Sequence, residues 1–158
     1  MQKLKSLLIC TLQHQINHVM KKIIIGILII FLGTILYSHI KVFNTEKAAI
    51  HVTEHAAPRS KTCCAWYVMR AMHSGGCWIG IYPAWAYKYV LPLYNFERVN
   101  KNNYHPRKGD IVVIENSAEH FWGHIAMYNG RIWISDFKQR NMSPYKKTYP
   151  YEIFRYKK

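Results

Sequence analysis

The sequence predicts an α+β fold in which N-terminal helices pack on an antiparallel β-sheet, preceded by one membrane or signal helix. Three observations lead to this prediction. An apolar run occupies residues 23–40, a helical pattern with a glycine stop covers Lys61–Gly76, and short β-branched segments separated by turn residues follow position 110. Helices first and strands afterwards is an order typical of α+β domains.

The apolar run is predicted to be a membrane helix. Residues 1–22 carry four lysines and no acidic residue, and about 18 residues without Lys, Arg, Asp or Glu then follow at 23–40. Positive charge on the amino side predicts that this end stays in the cytoplasm and that the rest is exported. Because no small-x-small cleavage site follows Tyr37, we expect an uncleaved inner-membrane anchor with the domain on the periplasmic side. A cleaved signal, leaving a soluble periplasmic protein, is the alternative.

The start of the chain and the domain boundaries follow from the same pattern. Met20-Lys21-Lys22 resembles a bacterial export start, so either Met1 or Met20 can be the first residue. We predict a signal or anchor segment over 1–40, a polar tether over 41–57 and one domain over 58–158. Half of the 158 residues are apolar or aromatic, enough for a single core.

The helix predicted after Lys61 places a cysteine at its start. Thr62 can cap it, and Val68, Ala71 and Met72 fall at helical spacing from Cys64. The unpaired N–H groups of a first helical turn favour negative charge and are expected to lower a thiol's pKa from its free value of roughly 8.5. Cysteine chemistry also needs a base, for which His124 is the candidate.

Turn residues and apolar periodicity predict the remaining elements. A short helix is expected over Pro83–Val90, and a strand or extended loop over Leu93–Val99. The other predicted strands are Ile111–Glu115, Gly123–Tyr128, Arg131–Phe137 and Tyr149–Tyr156.

The Asn129-Gly130 hairpin leaves two registers open. A two-residue turn pairs Tyr128 with Arg131 and sets His124 opposite Ser135. A three-residue loop with a glycine bulge puts His124 on the same face as Asp136. We predict the bulge, because a carboxylate is the better partner for an imidazolium.

Charge and cysteine content limit the possible functions. A net charge of +14 implies an anionic partner such as nucleic acid, phospholipid or cell wall, but no nucleic-acid-binding module is recognisable. The four cysteines, Cys10, Cys63, Cys64 and Cys77, and the nine histidines lack metal-ligand spacing, so we expect neither a metal nor a cofactor. One disulfide from Cys63 or Cys64 to Cys77 is a further possibility outside the cytoplasm, with Cys63 favoured.

Three segments together resemble the bacterial cysteine peptidases and amidases of the NlpC/P60 and CHAP group, papain-like enzymes that cut peptidoglycan. They are Cys64-Ala65-Trp66-Tyr67-Val68 with its following glycines, Pro106-Arg107-Lys108-Gly109-Asp110-Ile111-Val112-Val113, and Gly123-His124-Ile125-Ala126-Met127-Tyr128 leading to Ser135-Asp136-Phe137.

This resemblance implies a papain-like domain with Cys64 as nucleophile, His124 as general base and acid, and Asp136 as the residue that orients the imidazole. Cys63 is the alternative nucleophile and Ser135 the alternative third residue. The implied substrate is an amide bond in the peptide stem of peptidoglycan, whether for wall remodelling or as a toxin or phage lysis factor. The competing hypotheses are a non-catalytic wall- or membrane-binding module on the same fold, and a thiol-dependent acyltransferase or protein-processing peptidase.

Several further side chains are candidates for the cleft. His120, Trp122 and Trp85 can line it, although core packing is the plainer role for both tryptophans. The polar run after the last hairpin strand can meet substrate carboxylates or form a solvated turn; it consists of Lys138, Gln139 and Arg140.

Overall fold

The computed structural model describes residues 19–31 and 42–157 and divides the chain into two units, Met1–Lys41 and Val42–Lys158. In the first unit, residues 19–31 belong to helix α1 and are largely exposed. The predicted membrane segment, 23–40, continues into residues 32–40, which lie outside the described residues. No helix within the described ranges is long and apolar enough to cross a membrane.

The second unit is built on one antiparallel sheet with the strand order β1-β5-β2-β3-β4. The strands are β1 Phe96–Arg98, β2 Ile111–Ile114, β3 His124–Tyr128, β4 Trp133–Ile134 and β5 Tyr151–Tyr156. All four residues of β2 are buried because apolar clusters cover both faces of the sheet. The predicted antiparallel sheet is therefore confirmed, with shorter strands at its edges.

Helix α2, Thr45–His55, occupies the stretch predicted to be a tether. The Asn44 side chain caps it by accepting the Lys47 N–H at 2.9 Å. Ala48, Ala49 and Val52 are buried, and the helix packs against the next one along the chain. The compact unit thus begins at Val42 rather than at residue 58, because small alanines form an apolar face that hydropathy alone does not reveal.

Helix α3, Cys64–Ser74, is the predicted cysteine-bearing helix, with Val68, Ala71 and Met72 buried against the sheet. The prediction that Thr62 caps it is wrong. Cys63 occupies the cap position without a side-chain hydrogen bond, while Thr62 has a left-handed backbone (φ 59°) and donates its hydroxyl to Lys61 O at 2.6 Å.

The short helical segment predicted over Pro83–Val90 consists of a 3-10 turn, Ala84–Ala86, and helix α4, Tyr87–Val90. A second 3-10 turn, Leu91–Tyr94, leads directly into β1. The predicted disulfide is absent from the described residues, because Cys63, Cys64 and Cys77 are all free thiols.

The β3–β4 connection differs from both predicted registers. Tyr128 pairs with Trp133 and Met127 with Ile134, so four residues rather than two or three link the strands. The Asn129 side chain organises this loop by accepting the N–H groups of Arg131 and Ile132 at 2.9 and 2.8 Å. Strand β4 ends at Ile134, where a tight turn brings Lys138 back beside it.

Candidate active site

Cys64, His124 and Asp136, the three residues predicted to form the site, line one cavity of about 420 Å³. Cys64 comes from the start of α3, His124 from the start of β3, and Asp136 from the turn after β4. The loop that contains His120 and Trp122, both predicted to line the cleft, forms the outer wall together with Tyr145. Trp85 is not among the described residues that line it.

Two backbone groups, those of Ile125 and Ala65, favour the thiolate form of Cys64 and act to lower the pKa of its thiol. The Tyr128 N–H donates to Asp110 O at 2.8 Å, on the side of β3 that faces β2. Because alternate residues of an antiparallel strand bond to the same neighbour, Ile125 points its N–H to the opposite side, where β4 has already ended. The short β4 therefore leaves this donor available to the sulfur.

The protonation of Cys64 differs from the expectation based on the helix start. Burial raises the pKa of the thiol to about 11, and the nearby Asp136 carboxylate adds to the rise. The backbone groups of Ile125 and Ala65 act in the opposite direction without overcoming burial. Cys64 is therefore a neutral thiol at pH 7. Its own backbone N–H has no acceptor among the described residues.

Gln139 is the hydrogen-bond partner of His124. Its amide oxygen accepts from His124 Nε2 at 2.6 Å, in the orientation that also lets its nitrogen donate to the carbonyls of Asn141 and Met142 at 3.2 Å each. A proton on Nε2 places the imidazole lone pair on Nδ1. Within the described residues, Nδ1 has no hydrogen-bond partner.

Burial also decides the protonation of His124, whose side chain is 5% exposed. It lowers the pKa of the imidazole to about 4, although Asp136 acts to raise it. The ring is thus neutral at pH 7. The site holds a neutral thiol and a neutral base in one cavity, an arrangement suited to proton transfer during attack on a substrate.

Gly123 fixes the entry of the chain into β3 immediately before His124. Its φ is +64°, and a Cβ at this position would lie 2.5 Å from Ile114 O and 3.1 Å from Trp85 Cβ. Only glycine fits this conformation and this spacing without strain. The backbone conformation and the close approach of Ile114 O therefore explain why residue 123 is glycine.

Asp136 holds the loop that leads into α3. Its carboxylate accepts the Lys61 N–H at 2.5 Å, the Cys63 N–H at 3.4 Å and the Ser60 hydroxyl at 3.1 Å. Burial alone would raise its pKa, but hydrogen bonds from the Lys61 N–H, the Ser135 hydroxyl and the Cys63 N–H outweigh burial and hold the pKa below its usual range. Asp136 therefore binds backbone donors in front of α3, whereas the imidazole is held by Gln139.

The Ser135 hydroxyl lies between these two groups. It is 2.9 Å from Asp136 Oδ1 and 2.9 Å from the Gln139 amide, and it is fully buried. With one proton, it donates to one of the two oxygens at a time. Ser135, predicted as an alternative third residue, connects the loop before Cys64 to the partner of His124.

A second cavity of about 400 Å³ opens on the other side of Cys64. Trp122 and Thr62 border both cavities, so Cys64 lies where the two meet. No charged side chain is present among the described residues that line the second cavity, namely Thr62, Cys63, Cys64, Ala65, Trp66, Ile81, Tyr82, Pro83, Ala84 and Trp122. Cys63, the alternative nucleophile, is exposed and borders only this second cavity.

Sequence reasoning did not predict the roles of two residues in this site, Gln139 and Tyr145. Gln139 was predicted only as a possible substrate contact, and Tyr145 was not singled out. The signal for Gln139 was weak because the turn that returns the chain after Ile134 contains neither glycine nor proline. Lys138 and Arg140 are absent from the described lining of both cavities.

Two solved structures resemble the chain in fold and in sequence. The crystal structure of the type VI native effector–immunity complex Tae3–Tai3 from Ralstonia pickettii matches with a TM-score of 0.66 and 31% identity, covering 73% of this chain and 100% of that chain. The selenomethionine form of that complex matches with a TM-score of 0.63 and 32% identity, over 68% of this chain and 97% of that chain. No protein-family model matches, and neither does any curated protein.

Proposed function

The chain belongs to the Tae3 family of type VI effectors, papain-like amidases that cleave peptidoglycan, and on this premise we propose that it hydrolyses an amide bond in peptidoglycan stem peptides with Cys64 as nucleophile. One observation carries the cysteine assignment. The Cys64 thiol lines the same cavity as His124, whose Nε2 is bound by Gln139 and whose Nδ1 has no hydrogen-bond partner among the described residues.

The proposed reaction begins with attack of the Cys64 sulfur on the amide carbonyl while His124 Nδ1 takes the thiol proton. The unpaired Cys64 N–H donates to the oxyanion of the tetrahedral intermediate. The imidazolium then protonates the leaving amine, and the C–N bond breaks to give a thioester. Water, deprotonated by the same imidazole, attacks the thioester and releases the acid and the thiol.

The neutral state of both groups fits this order of events. A thiol with a pKa of about 11 and an imidazole with a pKa of about 4 do not form an ion pair before substrate binds. Transfer of the proton is therefore coupled to formation of the carbon–sulfur bond. The Asp136 carboxylate, which raises the pKa of His124, then stabilises the imidazolium that forms.

Gln139 and Asp136 have separate proposed roles. Gln139 holds the tautomer in which Nδ1 can accept the proton, the role that the sequence assigned to Asp136. Asp136 instead fixes the Ser60–Cys63 loop, so that α3 starts in a constant position relative to β3. The proposed site is thus Cys64, His124 and Gln139, supported by Asp136.

The shape and charge of the cleft suit a chain-like substrate on an anionic surface. Cavities on both sides of Cys64 give room for residues before and after the scissile amide. The net charge of +14 favours attraction to the anionic cell wall. These features support a peptide stem still attached to peptidoglycan as the substrate.

The family relation also leads to a proposed partner and location. The similar Tae3 structures were solved as complexes with the immunity protein Tai3, and we propose that this chain binds a cognate immunity protein. Its substrate lies outside the inner membrane, where the domain must act. Anchoring through residues 23–40 is a separate proposal, tested by asking whether the full chain sediments with membranes and loses that association when 23–40 is deleted.

The proposed activity is tested with the full chain and purified peptidoglycan under reducing conditions. Released amino groups are counted, and the fragments are identified by mass, for the unaltered protein, Cys64→Ala and Cys63→Ala. We expect release by the unaltered protein and by Cys63→Ala, and none by Cys64→Ala. Release that persists in Cys64→Ala would exclude this nucleophile, and no release by the unaltered protein would favour a binding module.

A further inference from the structure

The hydroxyl of Tyr145 makes a longer hydrogen bond than the hydroxyls of Tyr87 and Tyr104. Tyr87 donates to Gly80 O at 3.0 Å, and Tyr104 donates to Asp110 at 2.7 Å. Among the described residues, the Tyr145 hydroxyl reaches only Gly123 O, at 3.4 Å, well beyond the usual O–H···O distance of about 2.7–2.8 Å. Its proton is therefore weakly engaged in the substrate-free protein.

The ring that bears this hydroxyl is held firmly. It stacks on His120 with ring centroids 3.7 Å apart and an interplanar angle of 16°, and it meets Tyr149 edge-on at 5.2 Å. Glu119 ties the two loops together by binding Lys147 and, at 2.6 Å, the Tyr149 hydroxyl. The hydroxyl of Tyr145 is thus fixed before substrate binds, which reduces the entropic cost of using it.

The position of Tyr145 places that donor at the reacting centre. It lines the cavity shared by Cys64 and His124, and its ring meets the His124 imidazole edge-on at 5.9 Å. Burial raises the pKa of the Tyr145 hydroxyl to about 12. It remains a protonated donor at every pH at which the enzyme would work.

We propose that the Tyr145 hydroxyl donates a hydrogen bond to the oxyanion of the tetrahedral intermediate formed on Cys64, as the second donor beside the Cys64 N–H. The inference rests on the proposed function. On formation of the intermediate, the weak bond to Gly123 O is exchanged for a charge-assisted one, which is shorter and stronger. The gain is made in the transition state rather than with bound substrate, so it raises kcat without changing KM.

The test compares Tyr145→Phe with Tyr128→Phe in the full chain. Both variants remove one hydroxyl from a partly buried tyrosine, but Tyr128 borders neither cavity. We expect Tyr145→Phe to lower kcat for peptidoglycan cleavage roughly 10²–10³-fold at unchanged KM. Tyr128→Phe should behave as the unaltered protein.

A second readout separates an oxyanion donor from a structural residue. Alkylation of Cys64 by iodoacetamide needs the thiol and the base but forms no oxyanion, so its rate should be unchanged in Tyr145→Phe. A parallel fall in alkylation and cleavage would overturn the proposal and assign Tyr145 to the thiol–imidazole pair. Normal cleavage by Tyr145→Phe would overturn this inference alone, whereas absence of Cys64-dependent cleavage by the unaltered chain would overturn the proposed function and the inference together.

Discussion

The two walls of the cleft are held in place by different means. The helix wall, consisting of the Ser60–Cys63 loop and α3, depends on Asp136, which is 75 residues beyond Lys61 in the chain. The strand wall, consisting of β3 and the turn that carries Gln139, is held by sheet pairing and by a partner only 15 residues from His124. The nucleophile thus relies on a long-range contact and the base on a nearby one.

This difference means that the two walls can be disturbed separately. Loss of Asp136 should displace the start of α3 and destabilise the fold while the imidazole keeps its partner. Loss of Gln139 should leave the start of α3 in place while removing the hydrogen-bond partner of the imidazole. Substitutions on the two walls therefore test whether the position of Cys64 and the protonation of His124 are controlled independently.

The largest effect is expected on the strand wall itself. His124→Ala removes the proposed general base, and turnover of peptidoglycan should fall by roughly 10²–10⁴. Alkylation of Cys64 should slow as well, because the thiol no longer has a base. Steady-state kinetics of fragment release measures the loss; turnover within a few-fold of the unaltered protein would remove His124 from the mechanism.

On the helix wall, Asp136→Ala leaves the Lys61 and Cys63 N–H groups and the Ser60 hydroxyl without their acceptor. We expect the free energy of unfolding to fall by about 3 kcal/mol. Urea denaturation measures it, with Ser60→Ala as the matched control that removes one donor and should cost about 1 kcal/mol. Equal effects of the two substitutions would show that Asp136 does not anchor the loop.

His124 on the strand wall should also make the free energy of unfolding depend on pH. Folding lowers the pKa of His124 from 6.5 to about 4. Between these values the unfolded chain binds a proton that the folded chain does not, so stability falls as pH falls through this window, by about 3 kcal/mol in total. His124→Gln should flatten this part of the profile in urea denaturation at pH 4–7.

The stability contributed by Asp136 on the helix wall should be lost only at a lower pH. The pKa of Asp136 is held below its usual value of 3.8, so the stability it contributes is present above that value and is lost as pH falls through its folded pKa. If the free energy of unfolding of His124→Gln still falls as pH falls from 6.5 to 4, the loss of stability in that pH range does not come from His124.

The smallest effect is expected for Gln139→Ala, which leaves the imidazole in place without its partner. Turnover should fall roughly ten- to a hundredfold, part of the contribution of general base catalysis. The free energy of unfolding should also fall, by about 1–3 kcal/mol, because the buried Nε2–H of His124 loses its acceptor. Gln139→Glu retains an acceptor for Nε2 and should recover part of the lost rate. If neither substitution alters kcat, the tautomer of His124 does not depend on residue 139.

The sequence predicted the elements that have strong local signals. Helical spacing identified α3, β-branched composition identified β2, and the Asn129-Gly130 turn signal identified β3, so both Cys64 and His124 were placed on the correct kinds of element. Their meeting in one cavity follows from packing α3 against β3. The sequence pattern was thus sufficient to predict those elements whose buried residues recur at the spacing of a helix or strand.

The remaining features depend on contacts that local patterns do not encode. Helix α2 buries small alanines and resembles a polar linker in composition. The register after Asn129 follows from its side-chain hydrogen bonds, which extended the loop to four residues. Gln139, rather than Asp136, binds the imidazole because β4 ends early and the chain turns back at Ser135–Phe137.

Trapping the acyl-enzyme tests directly whether Cys64 is the nucleophile. The full chain is mixed with peptidoglycan fragments, quenched in acid within the first turnover, digested with trypsin and analysed by mass spectrometry. We expect a thioester adduct on Cys64 in the peptide that contains both adjacent cysteines, present in Cys63→Ala and missing in Cys64→Ala. An adduct on Cys63, or cleavage of peptidoglycan by Cys64→Ala at the normal rate, would show that Cys64 is not the nucleophile.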